Sequence, residues 1–235
     1  MNLRLDWCSY EAAKYAVMNW HYSKTMPVGK LVKIGVWEDN KYIGVILFGL
    51  GGGNSTNGKQ YNMKKSHDIT ELVRVALYKH INPVTKIISI AIKMIRKQSP
   101  KLKMIISFAD QMGQGHLGKI YQAGNWIYTG QFTGDDGFII NNKVIHNRSV
   151  YSKGWKQNIK WLKKYVDPKC KINHTIKHRY LYPLDKEIRE QIKPLAKPYP
   201  KKICDSGVMR STASFQDVGG GAIPTESLQL ERQYA

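Results

Sequence analysis

The chain has 235 residues, 42% of them hydrophobic, and carries 37 Lys and Arg against 17 Asp and Glu, a formal charge of +20. That length and apolar content can bury a sizeable core, which excludes disorder throughout and predicts one domain, or one domain with an appendage. The excess positive charge would repel itself without a polyanion, so nucleic acid is the leading expected partner, ahead of an anionic membrane surface.

No apolar run reaches the roughly 18 residues of a membrane span. The start, MNLRLDWCSYEAAKYAV, lacks the basic-then-apolar pattern of a secretory signal. Three widely spaced cysteines, Cys8, Cys170 and Cys204, make no disulfide framework, and a reducing cytoplasm is the expected setting.

Leu31–Trp37 and Tyr42–Phe48 are apolar, β-branched runs around the turn residues Asp39-Asn40-Lys41, and predict a hairpin. Gly49-Leu50-Gly51-Gly52-Gly53-Asn54 follows as a flexible loop, without the GK[ST] of a phosphate-binding P-loop. Ile69–Leu77 reads as a strand. Asn82 and Pro83 read as the cap and first position of a helix with the stripe Val84, Ile87, Ile88, Ala91 and Ile95, ending near Gln98-Ser99-Pro100. Met104–Ala109 is a second, buried strand, so a right-handed parallel crossover is expected.

A polar loop, Gln111–Gly115, leads to a short helix expected over His116–Ala123. His116 is read as helping to cap it and Gly124 as stopping it in the left-handed conformation. Trp126–Phe132 is a further strand. Asp135-Asp136-Gly137 and Asn141-Asn142 predict turns, with short strands at Phe138–Ile140 and Val144–His146.

The stretch from Asn141 to Lys202 carries 17 Lys and Arg against 4 Asp and Glu, a net +13. Within it Ser152–Val166 reads as a helix, with the stripe Trp155, Ile159, Leu162 and Val166, stopped by Asp167-Pro168. Lys153, Lys156, Lys160, Lys163 and Lys164 lie largely off that stripe. With Arg148, Lys177 and Arg179 they form the expected DNA-phosphate surface, and Trp161, also off the stripe, is expected to stack on bases. Cys170-x3-His174-x3-His178 has metal-ligand spacing for a helix, but lacks a second cysteine pair and has basic neighbours. The expected organisation is a catalytic core over 1–150, a basic helical and loop extension packed on it over 151–204, and a loose or disordered tail over 205–235.

Ligands of open α/β sheets collect beyond the ends of parallel strands. Here those ends are Leu77-Tyr78 and Ala109-Asp110, and the first-turn amides of Val84 and Thr85 beside Tyr78 form a candidate phosphate site. Four side chains are candidates for chemistry: Asp110 at a strand end, Tyr121 in the short helix, Arg74 in a strand, and His21 in the cluster His21-Tyr22-Ser23. Each has a structural alternative. Asp110 can cap the next segment, Tyr121 can be a core aromatic, Arg74 can pair with Glu71 or Asp68, and His21 can be a satisfied structural histidine.

The expected sheet order and the segment KIYQAGNW resemble the GNAT superfamily of acyl-CoA-dependent transferases. That resemblance implies an α/β (α+β) fold, a mixed central sheet flanked by helices, with Tyr121 as proton donor to the departing thiolate and amides at the crossover-helix start holding the pyrophosphate. The superfamily's Gln/Arg-x-x-Gly-x-Gly/Ala loop is absent, and YKHINPVTK stands in its place. A narrower resemblance runs from about residue 18 to 152. HYSKTMP, LFGLGGGN, ELVRVAL, SFADQMGQGHLGKIYQAGNWIYTG and HNRSVY, in that order, resemble the phage Mom family. It implies a transferase that places a methylcarbamoyl group on adenine N6 of double-stranded DNA, blocking restriction. It also implies Asp110, Tyr121, Arg74 and His21 as functional residues and acetyl-CoA as cofactor. A bound iron is implied too, for which His21 and Asp110 are suitable ligand types. In this reading Asp110 positions N6 or accepts its proton, Tyr121 acts as acid or orients the donor, and Arg74 holds an anionic group of donor or DNA. Two other functions fit the residues, an N-acetyltransferase acting on a protein or small amine, and a non-catalytic DNA-binding protein on the same scaffold.

Overall fold

The computed structural model describes residues 2–50, 58–61, 63, 68–111 and 115–201. Gly51–Asn54 of the glycine-rich segment, most of the Gln111–Gly115 loop, Cys204 and the 205–235 tail lie outside the described residues, as does the side chain of Arg148. Among the described residues, no helix is long and apolar enough to cross a membrane, and Cys8 and Cys170 are free thiols.

Among the described residues eight strands form one mixed sheet: β1 (Leu3–Trp7), β2 (Leu31–Glu38), β3 (Lys41–Gly49), β4 (Ile69–Leu77), β5 (Met104–Asp110), β6 (Ile127–Ile140), β7 (Lys143–His146) and β8 (Lys171–Pro183). Their order is β1-β2-β3-β4-β5-β8-β6-β7. The helices described are α1 (Tyr10–Trp20), α2 (Val84–Gln98), α3 (Lys119–Ala123), α4 (Asn147–Ser152), α5 (Ile159–Tyr165) and α6 (Lys186–Ile192). This is the α+β architecture expected, a mixed central sheet flanked by helices.

Period-two alternation sorts the core onto two faces. Ile46 and Phe48 of β3 and Ile105 of β5 pack with Ile87, Ile88, Ala91, Ile92 and Ile95 of α2. On the other face Val45 and Leu47 meet Ala12, Ala13, Ala16 and Val17 of α1, while Met104 and Ile106 meet Ile188 and Ile192 of α6. The predicted hairpin is β2–β3, turned by Asp39 and Asn40 with φ of 48° and 65°.

One pairing shapes everything that follows. β4 and β5 are parallel, but they pair only at Ile69–Met104, Thr70–Ile105 and Glu71–Ile106. Beyond that point β4 stays on β3 as far as Leu77, and β5 stays on β8 as far as Asp110. The two strands therefore part and leave a cleft in the middle of the sheet. A register shift in β4 pairs Leu47 with Arg74 and Phe48 with Leu72, so Val73 is an extra residue just where the strands diverge.

Several local expectations change. The 151–204 segment is not wholly helix and loop, because β8 inserts between β5 and β6 at the sheet centre. Of the helix expected over Ser152–Val166 only α5, Ile159–Tyr165, forms, and a separate short helix, α4, ends at Ser152. Gly154 adopts φ +70°, and Asn158 caps α5 by accepting the Trp161 amide at 3.0 Å. Asp135-Asp136-Gly137 makes no turn, because β8 continues the ladder past it and the extra residue becomes a bulge in β6. Pro83, not Asn82, is the residue before α2, because Asn82 is held away by Glu38. His116 does not cap the short helix: α3 begins after Gly118, without a side-chain cap. Gly124 has φ −89°, and the left-handed residue is Asn125, with φ +57°.

Candidate active site

The cleft between β4 and β5 holds a cavity of about 570 Å³. Val73, Arg74 and Val75 line it from one strand and Phe108, Ala109 and Asp110 from the other. Trp20, His21 and Tyr22 at the end of α1 and His116 to Tyr121 around α3 complete the wall. The four side chains named from the sequence, His21, Arg74, Asp110 and Tyr121, thus come from four elements and meet in one space.

His21 is 8% exposed. Its Nδ1 accepts the Ser23 amide at 3.1 Å and lies 2.8 Å from Ser23 Oγ. An Nδ1 that accepts an amide leaves the ring proton on Nε2 in the neutral form. Burial, then the charges of Arg74 and His116, push its pKa down to about 4, so His21 is a neutral imidazole at physiological pH. Tyr22 sits between His21 and His116, with ring centroids 4.2 Å and 5.8 Å away.

Tyr121 is both wall and core. Its ring packs on Trp126 and Tyr180 at 5.0 Å and 5.1 Å. Its hydroxyl is 2.7 Å from Ser107 Oγ, which is itself 2.8 Å from the Leu72 carbonyl. A carbonyl only accepts and Ser107 has one proton. That proton goes to Leu72, and Tyr121 donates to Ser107. Burial raises the Tyr121 hydroxyl to about 12, keeping it neutral. Gly118 fixes this arrangement, because its φ is +72° and a Cβ would stand 2.4 Å from the Tyr180 ring.

Arg74 and Lys119 are the cationic residues among those lining the cavity. Arg74 Nη1 donates to the Val73 carbonyl at 2.7 Å, and its buried Nε has no hydrogen-bond partner. The alternative pairing with Asp68 is absent, since Asp68 faces Lys103 at 3.9 Å.

The expected metal and cofactor sites fare differently. His21 and Asp110 share the cavity, but among the described residues no three His, Cys, Asp or Glu side chains are grouped to hold a metal ion, and His21 Nδ1 is already engaged by Ser23. These residues do not fit the implied iron. Cys170, His174 and His178 lie on or beside β8, not on a helix. Tyr78 stacks on Trp20 at 5.3 Å, and its amide goes to the Ile43 carbonyl. Thr85 lines a separate cavity of about 340 Å³ with Lys86, Ser89 and Asn125, across Ile120 from the first. The loop before α2 is held by a carboxylate. Glu38 accepts the amides of Ile81 at 2.9 Å and Asn82 at 2.7 Å, and Asn82 Nδ2 at 2.8 Å. Burial raises its pKa, but these hydrogen bonds outweigh burial and hold it below the usual carboxylate range. Glu38 thus engages the amides that precede Pro83, not those of Val84 and Thr85 in the first turn of α2.

Neither Glu38 nor the buried chain Tyr128–His178–Gln111 was among the expected site residues. Tyr128 Oη lies 2.8 Å from His178 Nδ1, and His178 Nε2 lies 2.8 Å from Gln111 Oε1, tying down the residue after Asp110.

The expected DNA-binding residues divide. Lys153, Lys156, Lys160, Lys163 and Lys164 are exposed around a small core of Phe138, Ile140, Val150, Leu162 and Cys170. Trp161 is half-buried against that core and packs on Tyr165 at 5.1 Å. Lys177 is half-buried on β8, directly across the ladder from Asp110. Arg179 is bound inward, its Nε donating to Thr129 Oγ1 and its Nη1 to Gln60 Oε1, both at 2.8 Å, over the Tyr61 ring.

Solved structures that resemble the chain include two assigned acetyltransferases. A protein assigned as a phosphinothricin N-acetyltransferase aligns with a TM-score of 0.46 and 9% identity, over 79% of this chain and 100% of its own. An assigned GNAT-family acetyltransferase from Chromobacterium violaceum aligns at 0.44 and 8%, over 78% and 83%. Among curated proteins the methylcarbamoylase Mom of Escherichia phage Mu is 24% identical over 207 residues, 85% of this chain and 84% of that protein. The model of the Mom protein family matches residues 2–201, the full span of the described structure, and the chain belongs to that family.

Proposed function

We propose that this protein is a transferase that modifies adenine at N6 in double-stranded phage DNA in the host cytoplasm, adding a methylcarbamoyl group that protects the DNA from restriction. Family membership and the name of the phage Mu relative support the reaction class. The observation that carries the reading is the convergence of His21, Arg74, Asp110 and Tyr121 on one cavity in the split sheet.

N6 of a paired adenine is hydrogen-bonded, and its lone pair is delocalised into the ring. The base must leave the stack to react. A cavity of about 570 Å³ with aromatic walls from Trp20, Tyr22 and Phe108 is large enough for one extruded base. Asp110 accepts a hydrogen bond from N6–H and takes its proton as the nitrogen lone pair forms a bond to the donor's electrophilic carbon. The donor's leaving group departs with the electrons of the broken bond. His21, neutral and protonated on Nε2, supplies a hydrogen-bond donor without competing for Asp110's charge. Tyr121, its own proton committed to Ser107, presents oxygen lone pairs to the cavity and orients a donor group. The lysines of α5 and the preceding loop hold the flanking DNA by its phosphates.

The test is nucleoside mass spectrometry of host DNA after expression. A modified deoxyadenosine is expected, lost in Asp110→Asn and reduced in Tyr121→Phe while DNA affinity is kept. Unmodified adenine from soluble, DNA-binding protein would sink the reading.

A further inference from the structure

A bulge interrupts the β6–β8 ladder just after Tyr128. Tyr128 pairs with Tyr180 and Gln131 with His178, so Thr129 and Gly130 of β6 stand against Arg179 alone. Gly130 takes φ +104°, and Arg179 braces the bulge by donating from Nε to Thr129 Oγ1 at 2.8 Å. A one-residue shift moves every following side chain to the opposite face of the sheet. Without it Phe132 would follow Tyr128 into the face packed on α2. With it Phe132 pairs with Lys177 and turns to the face of Phe108 and Asp110.

On that face three residues stand in one row across neighbouring strands. Asp110 of β5 pairs with Lys177 of β8, and Lys177 pairs with Phe132 of β6. Directly opposed residues of an antiparallel ladder share a face. Two strand spacings, roughly 10 Å, separate the ends of the row. Asp110 and Phe108 line the cavity, and Phe132 meets Phe108 edge to face, with ring centroids 5.6 Å apart. Phe132 is nevertheless 43% exposed. The aromatic lining of the cavity thus continues outward onto an open ring, with a lysine between that ring and Asp110. A single exposed apolar residue is ordinary. An exposed aromatic aimed by a braced bulge, joined to the cavity wall and set beside a cation on a chain of formal charge +20, has the make-up of a platform for a nucleobase.

We propose that Phe132 is a stacking platform outside the cavity, and that it receives the nucleobase next to the extruded adenine on the same DNA strand. The row sets the order: the adenine at Asp110, the phosphate that joins the two nucleotides over Lys177, and the second base on the Phe132 ring. The base left unpaired on the other strand has no such link across Lys177. Stacking on Phe132 offsets part of the cost of opening the duplex. Every base has a π-face, so the platform favours unstacked DNA over intact duplex without reading sequence. The proposal rests on the adenine reading and adds to it a second nucleotide subsite. Its test reads binding, not transfer.

The probes are short duplexes that hold one mismatched adenine, titrated with the full chain at fixed salt. One has every other base intact, two are abasic at one or the other neighbour of the adenine on the same strand, and one is abasic opposite the adenine. Loss of one same-strand neighbour should weaken binding roughly fivefold or more, and loss of the opposite base should not weaken it. Phe132→Leu keeps an apolar contact with Phe108 but loses the aromatic face. It should weaken the intact probe by a similar factor and abolish the penalty of the abasic neighbour. The slope of log affinity against log salt should stay unchanged, since no charge is removed. Phe132→Trp should bind at least as tightly as the wild type. The proposal is overturned if Phe132→Leu binds the intact probe as tightly as the wild type, if neither same-strand neighbour matters, or if the penalty follows the opposite base. Those results leave the adenine reading standing wherever modified deoxyadenosine is found in the DNA, whereas a wild type that binds none of the probes overturns both.

Discussion

The hydroxyl of Tyr121 donates to Ser107 Oγ across 2.7 Å, at the place where β4 and β5 stop pairing. Ser107 in turn bridges the opening gap by donating to the Leu72 carbonyl at 2.8 Å. The apex of the cleft is thus closed by side-chain hydrogen bonds where the ladder gives out.

Removing either hydroxyl tests that apex unequally. Ser107→Ala leaves the buried Tyr121 hydroxyl and the Leu72 carbonyl without a partner and should cost about 1–3 kcal/mol in denaturant unfolding. Tyr121→Phe leaves the Ser107–Leu72 bond intact and should cost less, about 1 kcal/mol. Equal losses would mean that the two bonds are not linked as described.

Acid should weaken the fold through His21. Its folded pKa of about 4 lies below the ordinary 6.5, so between those values the unfolded chain binds more protons than the folded one. Stability therefore falls as pH drops from about 6.5 to about 4, and this contribution levels off below 4. His178, also lowered by burial, acts in the same direction. His21→Asn should flatten the slope of unfolding free energy against pH over that window. An unchanged slope would show that His21 does not titrate as its burial requires.

Gly118→Ala should be far more damaging than an ordinary loop substitution. The left-handed backbone costs a non-glycine residue roughly 1–2 kcal/mol, and the new methyl would overlap the Tyr180 ring. Tyr180 hydrogen-bonds the Leu117 carbonyl and packs on Tyr121. The substitution should lower thermal stability and change the near-ultraviolet signal of the aromatic cluster together. Loss of stability with an unchanged aromatic signal would separate Gly118 from Tyr121.

The exposed lysines of α5 should act additively and without sequence preference. Replacing Lys160, Lys163 and Lys164 with alanine should reduce the slope of log affinity against log salt by roughly 0.9 for each lysine that contacts a phosphate. Filter-binding on duplexes of different sequence measures this. An unchanged slope would move the DNA surface elsewhere.

The sequence made the local parts of this structure legible and hid the distant ones. The β2–β3 hairpin and the α2 stripe follow from turn residues and short-range periodicity. The place of β8 does not, because its ladder partners Met104–Asp110 lie some seventy residues away, roughly the scale on which local pattern says nothing. Its mixed run KINHTIKHRYLYP also masks the alternation, since Lys177 and Arg179 stand among apolar residues on a half-buried strand. His21, Arg74, Asp110 and Tyr121 were named by motif, but their shared cavity depends on β4 and β5 parting. Glu38 gave no local sign at all, because its partners Ile81 and Asn82 are 43 and 44 residues away.

The central seat of β8 has a consequence for how the chain assembles. The last strand among the described residues is the one that joins β5 to β6. Until Pro183 has left the ribosome the molecule is two separate sheets, β1 to β5 and the β6–β7 hairpin, each with an unmatched edge. Such edges pair readily with other chains. A fragment ending near residue 150 would therefore be an aggregation-prone pair of half-sheets, because it lacks the strand that closes the fold.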